Sequence, residues 1–444
     1  MSHSDTVSII LAAGKGTRMK SALPKVLHPV GGLPMLGHVM RAAEHAGLSE
    51  TIIVVSPEQE SIKSFVTHVS STATMAIQQQ QNGTGDAVIA AMPLPAHIKR
   101  AVIMFGDTPL MRPETLRQLA GSKAQLTVLG FTPEDPQGYG RILLSDNQTP
   151  VEIIEHKDAD EELRQITLCN GGAMAVDREI LDQCLEQLNS NNAQGEYYLP
   201  DLVKLAVENG YSTGLVLGDV HDIMGVDSRA GLSKAEAVFQ NRQRRHFLDT
   251  GVTLQSPETV HFSFDTTIET DVVIEPHCVF GPGVSIASGA LIKAFSHLEG
   301  AQVGNHAVIG PYARLRPGTE LADGVKIGNF VETKKAKIGL DAKVNHLSYI
   351  GDAEIGAGAN IGAGTITCNY DGFNKHKTEI GAGAFIGSNS SLIAPVRIGD
   401  GAYVGSSSVL SGEVEADALA VTRAPARTIR GWAAKFRNKN SKGN

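Results

Sequence analysis

After Thr250 an aliphatic residue, often followed by glycine, returns every six positions, and this period constrains the fold more than any other feature of the chain. Val303, Ile309, Leu315, Leu321 and Ile327 form one run. Ile338, Val344 and Ile350, followed by Ile355 and Ile361, form a second, and Ile380, Ile386, Leu392, Ile398, Val404 and Leu410 a third. A unit this short cannot bury its own apolar residue and must stack on its neighbours. Six residues per flat side and three sides per coil predict a triangular prism of short parallel strands. The aliphatic residue points inward, and the small residue two places before the next one fits the corner. Corners that need small or φ-permissive residues account for the surplus among the 47 glycines. Two phase breaks stand out. Ile327 to Ile338 is one residue short of two repeats, and Ile361 to Ile380 is one more than a whole coil. The second spans the polar stretch TCNYDGFNKHK, which predicts a loop leaving the prism; loops on rigid scaffolds tend to carry function.

Residues 1–228 follow another pattern. Val7–Ala13, Thr51–Ser56, Ala101–Phe105 and Gln125–Phe131 read as buried strands, with helical stretches such as Leu36–Ala46 and Pro113–Gly121 between them. This alternation predicts an α/β domain with a mostly parallel sheet and helices on both faces. Ligands in such sheets bind beyond the carboxyl ends of the strands. In residues 229–249 breakers are few after Gly231, and Leu232, Ala235, Val238 and Phe239 keep a helical period, which predicts a linker helix. The expected domains are 1–228 and 250–444. A net charge of −8 argues against nucleic acid as a partner. Cys169, Cys184, Cys278 and Cys368 lack CxxC spacing, which suits a reducing compartment. The first apolar run stops at Gly14 without a basic segment before it, and no run approaches the roughly 18 apolar residues of a membrane span. A cytoplasmic protein with no membrane partner is expected.

Directly after the first strand come Leu11, Ala12, Ala13 and Gly14, then Lys15-Gly-Thr-Arg18-Met, and shortly afterwards Leu23-Pro24-Lys25. Small residues let backbone N–H groups approach a base or phosphate, and Arg18 and Lys25 add fixed positive charge for a triphosphate. Lys15 precedes Gly16 rather than Ser or Thr, which excludes a Walker loop, and Met19 stands where a dinucleotide fingerprint has its third glycine. The segment resembles the LxxGxGTRM…PK signature of the nucleotide-sugar pyrophosphorylases, an implied Rossmann-like nucleotidyltransferase fold. Gln78 with Gly83 and Thr84 resembles that family's uracil-contacting loop. Phe105, Gly106 and Asp107 end a strand in the place of its metal-binding aspartate, and Gly140, Glu155 and Asn170 are similar to its sugar-recognition set. The resemblance implies that a sugar 1-phosphate oxygen attacks the α-phosphorus of UTP, with Arg18 and Lys25 as catalytic cations. It also implies Mg²⁺ on Asp107 and Asp227. Asp227 replaces the family's usual Asn with an equally hard oxygen donor. Gly171, after Asn170, departs from the family's small hydroxyl residue.

The second half carries longer motifs than a generic repeat needs: Arg314-Leu-Arg316-Pro-Gly, Gly328-Asn-Phe-Val-Glu332-Thr-Lys334-Lys, His346-Leu-Ser-Tyr349 and Ile361-Gly-Ala-Gly-Thr-Ile-Thr-Cys-Asn369-Tyr370. Arg316 and Lys334 could hold a phosphate, Tyr349 and Asn360 sugar hydroxyls, and histidine titrates where a base for an amine proton should. These motifs resemble the bifunctional N-acetylglucosamine-1-phosphate uridyltransferase/glucosamine-1-phosphate acetyltransferase family over nearly the whole chain. The resemblance implies a left-handed parallel β-helix in which His346 is general base and Glu332 its orienting partner. Arg316, Lys334, Tyr349 and Asn360 would hold glucosamine 1-phosphate, and Ala363, Asn369, Tyr370, Ser388, Ser406 and Arg423 would hold acetyl-CoA. It further implies a homotrimer and a role in making peptidoglycan and lipopolysaccharide precursors. A single-activity nucleotidyltransferase with a merely oligomerising prism is the competing expectation.

Overall fold

The computed structural model describes residues 5–48, 50–422 and 425–440. Two compact units divide the chain, Met1–Arg242 and Gln243–Asn444. In the first, the central strand Thr6–Leu11 pairs in parallel with Glu50–Val55 and with Arg100–Phe105. Strand side chains alternate between faces, so one strand feeds two cores. Val7 and Ile9 join the helices Thr84–Ile89, Arg178–Cys184 and Asp201–Glu208 on one side. Ile10 and Ala12 join Met35–His45, Glu60–Val69 and Pro113–Ala120 on the other. The principal strand order is Thr213–Leu217, Leu126–Phe131, Cys169–Asp177, Arg100–Phe105, Thr6–Leu11, Glu50–Val55, Thr74–Ile77.

Within that order one strand breaks the parallel rule. Cys169–Asp177 runs antiparallel to both neighbours, and its register slips between Asn170 and Met174. Such bulges re-aim side chains beside sites. The helix Arg229–Asp249 is 21 residues long, and the boundary between the units falls inside it, after Arg242. Its early turns are fixed to the first unit: Glu236 accepts from the Gly31 N–H at 2.8 Å, and Arg242 shares the fully buried Asp222 carboxylate with Arg112.

The second unit is the expected prism. Ala290, Ala307, Val325, Ala342, Ala359, Ala384 and Ala402 line an inner corner, two places before Ile292, Ile309, Ile327, Val344, Ile361, Ile386 and Val404. Phe247, Phe262 and Phe280 close its first coils, with ring centroids 4.6 and 5.2 Å apart. Another corner departs from the small-residue rule. His277, Phe295, Tyr312, Phe330 and Leu347 all adopt positive φ there, and the first four rings stack at 4.8 to 5.2 Å. Left-handed backbone costs such residues on the order of 1 kcal/mol each, and the outward stack offsets part of it.

The phase breaks have distinct causes. Glu332–Ile338 is one strand that runs through a corner, pairing with Arg314–Leu315 and with Glu320–Leu321, so a turn residue is missing. The second break is larger than its one-residue slip suggests, because Ile361 and Ile380 lie on different sides: Ile361 stacks on Ile386, and Ile355 on Ile380. The excess is a loop between Cys368 and Thr378, pinned by a Tyr370–Lys375 bridge. Asp371 accepts from the N–H groups of Phe373 and Asn374 and pairs with His376, which together pull its carboxyl down to about 2. Among the described residues no helix is long and apolar enough to cross a membrane.

Candidate functional site

In the first unit the carboxyl ends of the strands open into two adjoining cavities. One, of about 300 Å³, is lined by Leu11, Ala12, Ala13, Gly14, Lys25 and Gln78, with Gly83, Thr84, Phe105 and Asp107 closing it. The other, of about 410 Å³, takes Gly140, Glu155, Asn170 and Asp227, and shares Thr84, Phe105 and Asp107 with the first. The two cavities therefore meet at Asp107. Gly106 lies behind this floor: a Cβ there would stand 3.3 Å from Val26 and 3.4 Å from the Leu11 carbonyl. Arg18 lines neither cavity and is exposed.

Local sequence explains these placements. Gly16 has φ +59, and a Cβ on it would meet Lys25 Cβ at 2.5 Å, so only glycine lets the loop fold over Lys25. Gly83, at φ +115, turns the chain into a helix while Gln78 Nε2 donates to its carbonyl at 3.1 Å and to Asp86 at 2.7 Å. The Val226 N–H donates to the Asp107 carbonyl at 2.9 Å, which brings Asp227 to the same cavity as Asp107. Each of these two carboxylates carries its own cation: Lys25 contacts Asp107, and Arg18 meets Asp227 at 2.8 Å. Asp107 and Asp227 are two hard oxygen donors that could hold Mg²⁺, an ion whose shell substrate phosphates commonly complete. The outer Arg18–Asp227 pair is solvent-exposed and worth about 0–1 kcal/mol, so a phosphate can exchange with it easily.

The second cavity has a protonation bias. Burial, reinforced by Asp158 and Asp201, pushes the Glu155 carboxyl upward. A Cβ on Gly140 would crowd it, standing 3.1 Å from Glu155 Oε1. Gly171 is similarly confined: a Cβ would meet Leu129 Cγ at 3.0 Å and Ile223 Cδ1 at 3.1 Å. Leu129 and Ile223 fill the space that a hydroxyl residue would need at that position.

In the prism, backbone hydrogen bonds stack His346, Ala363, Ser388 and Ser406 one above another at a single corner. The links are Gly364 N–H to the His346 carbonyl, Asn389 to Ala363, and Ser407 to Ser388, at 2.7 to 3.2 Å. Around the corner Arg314, Glu332 and Tyr349 pair rung to rung, with Lys334 paired to Gly351 two residues on. Arg316 donates to Glu332 at 2.7 Å. Asn360 does not join them: it lies on another sheet, paired with Lys343 and Phe385. Asn369 is buried and donates to Asp352, and the Tyr370 hydroxyl donates to the Gly372 carbonyl at 2.6 Å. Arg423 lies outside the described residues. The expected His346–Glu332 pairing is not what the chain forms. Glu332 is committed to Arg316, and His346 Nδ1 instead meets Asn329 Oδ1 at 2.7 Å.

Two family models match the chain: one described as MobA-like NTP transferase domain over residues 8–183, the other as bacterial transferase hexapeptide (six repeats) over 300–335 and 377–412. The bifunctional protein GlmU of Rhodopseudomonas palustris (strain BisB5) is 51% identical, covering 100% of this chain and 98% of that protein. That of Azorhizobium caulinodans is 49% identical over 98% of each, and that of Zymomonas mobilis 46% identical over 99% of each. The chain belongs to the GlmU family. In this GlmU-family chain three polar groups at the sites escaped the sequence reading. Lys375 stands beside Lys334 and, with Arg316, holds the Lys334 ammonium below its ordinary value, a crowd of like charges that a dianion would relieve. Its signal was a lysine inside the polar insert. Asp352, which fixes Asn369, and Asn329, which meets His346, had only their distance of one 17-residue coil as a signal.

Proposed function

We propose that the second unit transfers the acetyl group of acetyl-CoA to the amine of glucosamine 1-phosphate, and that the first then joins UMP from UTP to the product. The end product is UDP-N-acetylglucosamine, a precursor for peptidoglycan and lipopolysaccharide, made in the cytoplasm. The observation that carries the reading is the single corner column of His346, Ala363, Ser388 and Ser406, with the cations Arg316, Lys334 and Lys375 beside it. At about 4.8 Å per rung, the column spans roughly 14 Å, a length suited to an extended pantetheine arm whose thioester ends at His346. The cations suit the sugar phosphate. The amine nitrogen attacks the thioester carbonyl, His346 takes its proton through Nε2, and the C–S bond breaks to release CoA, which takes the proton back.

In the first unit Gln78 and Gly83 would face the uracil, Lys25 and Arg18 the phosphates, and Glu155 and Asn170 the sugar. The sugar phosphate oxygen attacks the α-phosphorus in line as pyrophosphate leaves, so catalysis there is alignment and charge neutralisation. Mg²⁺, held by Asp107 and Asp227, would supply charge neutralisation at the phosphates. The separation of Asn360 from Arg316, Lys334 and Tyr349 favours a homotrimer, in which a neighbouring prism completes each acetyltransferase site. The test is a coupled assay with glucosamine 1-phosphate, acetyl-CoA and UTP. CoA release without added UTP, and pyrophosphate release only once acetylated sugar phosphate is present, support both steps and their order. An absence of CoA release would return the prism to a scaffold.

A further inference from the structure

We infer that Asn329 is the positioning residue of the acetyltransferase base: its side-chain oxygen accepts the Nδ1 proton of His346 and leaves Nε2 unprotonated for the substrate amine. The inference rests on the reading of His346 as general base and names the group that gives it the right tautomer. A neutral imidazole carries one proton, and whichever nitrogen holds it cannot act as base. The 2.7 Å contact between His346 Nδ1 and Asn329 Oδ1 favours the proton on Nδ1, because an amide oxygen only accepts.

The backbone places the two residues opposite each other. Neighbouring rungs on this side of the prism are two residues long, as in Val308–Ile309 and Asn360–Ile361. Lys326–Asn329 and Lys343–His346 are four long, and their ladder extends to the pair Asn329–His346. The Leu347 N–H then donates to the Asn329 carbonyl at 3.1 Å, so the pair is held on both its backbone and its side chains. Gly328 permits the approach, since a Cβ there would stand 1.9 Å from the Asn345 carbonyl oxygen. Glu332, three residues from Asn329, is occupied by Arg316 and lies 4.0 Å from Arg314. The remaining charges on the two strands, Lys326 and Lys343, sit at their far ends, about 10 Å away at ~3.3 Å per residue. Asn329 therefore orients the imidazole without adding charge to it.

Three variants of the full-length enzyme test this, assayed for CoA release across pH 5.5 to 9, with pyrophosphate release by the first unit as a control for folding. Asn329→Leu should lower kcat for acetyl transfer at least about tenfold at every pH, as loss of part of a general base's ~10²–10⁴-fold contribution. KM for both substrates should stay within about twofold. Asn329→Asp keeps an acceptor, so kcat on the alkaline plateau should return to within about threefold of the parent. Its carboxylate also favours the imidazolium, so the acid limb of the kcat profile should move up in pH by about half to one unit. A purely structural role predicts equal loss in both variants and an unmoved limb, and that result overturns the inference. His346→Ala separates it from the underlying reading: activity surviving there refutes the base itself, whereas a dead His346→Ala with a normal Asn329→Leu refutes only the positioning role.

Discussion

Gly328→Ala should disable acetyl transfer while leaving uridylyl transfer intact. A methyl group at this position would begin 1.9 Å from the Asn345 carbonyl oxygen, where real Cβ contacts do not fall below 3.0 Å. The two coils must part by about 1 Å at the corner, against a ladder spacing of ~4.8 Å. Overpacking of this kind costs about 1–3 kcal/mol, which a prism of stacked coils can survive. Catalysis is less forgiving, because Asn345 precedes His346 and the rung that must open is the one that joins Asn329 to His346. A displacement of about 1 Å in a catalytic group can cost about 10²-fold in rate. Release of free CoA from acetyl-CoA and glucosamine 1-phosphate is the measurement, and release of pyrophosphate from UTP and N-acetylglucosamine 1-phosphate is the internal control. Acetyl transfer within threefold of the parent would refute the claim that this corner holds the reacting groups.

Asp107→Ala should reduce uridylyl transfer at least about 10³-fold, since both cavities meet at that carboxylate, with acetyl transfer near normal; loss of both rates would show that the sites are not independent. Lys375→Ala removes one of three crowded cations, so KM for glucosamine 1-phosphate should rise about tenfold with kcat little changed, as expected for one charged hydrogen bond worth ~1.5 kcal/mol; an unchanged KM would take Lys375 out of the phosphate site. Burial together with Asp158 and Glu152 pushes the Asp201 carboxyl up to about 6. The folded protein thus keeps a proton that an unfolded aspartate, near ~3.9, has released, so stability present below pH ~4 is lost as pH rises through about 6. Asp201→Asn should therefore raise Tm by about 2 °C at pH 7.5, for roughly 1 kcal/mol after solvent screening of this half-buried group, and by nothing at pH 4; equal effects at both pH values would exclude the titration.

The fold was legible wherever a period was long and uninterrupted. The six-residue spacing gave the prism, and alternating apolar runs gave the sheet and its two helical layers. Cys169–Asp177 was harder, because a strand buried on both faces has the same pattern in either direction. The size of the insert after Cys368 was hidden because Ile361 and Ile380 belong to different sides of a coil. At the sites, residues in continuous motifs were readable, but partners depended on coil stacking. Glu332 lies nearer than Asn329 to His346 in sequence, yet the ladder places Asn329 opposite His346 and leaves Glu332 to Arg316. The pairing of Arg18 with Asp227 depends likewise on a long-range hydrogen bond, from Val226 to Asp107.

The aromatic plug of Phe247, Phe262 and Phe280 makes the prism polar in a thermodynamic sense. A stack in which each coil touches only its neighbours behaves as a one-dimensional array, and it melts from whichever end is less well sealed. The plug seals the first coils, while the inner residue of the last strand, Leu419–Ala420, is only an alanine. Opening that starts from the far end reaches Ser406 first, then Ser388, then Ala363, and His346 last. The cofactor arm would thus lose its grip from its outer end while the base and its amide partner remain folded, a gradient that hydrogen exchange along the column can read.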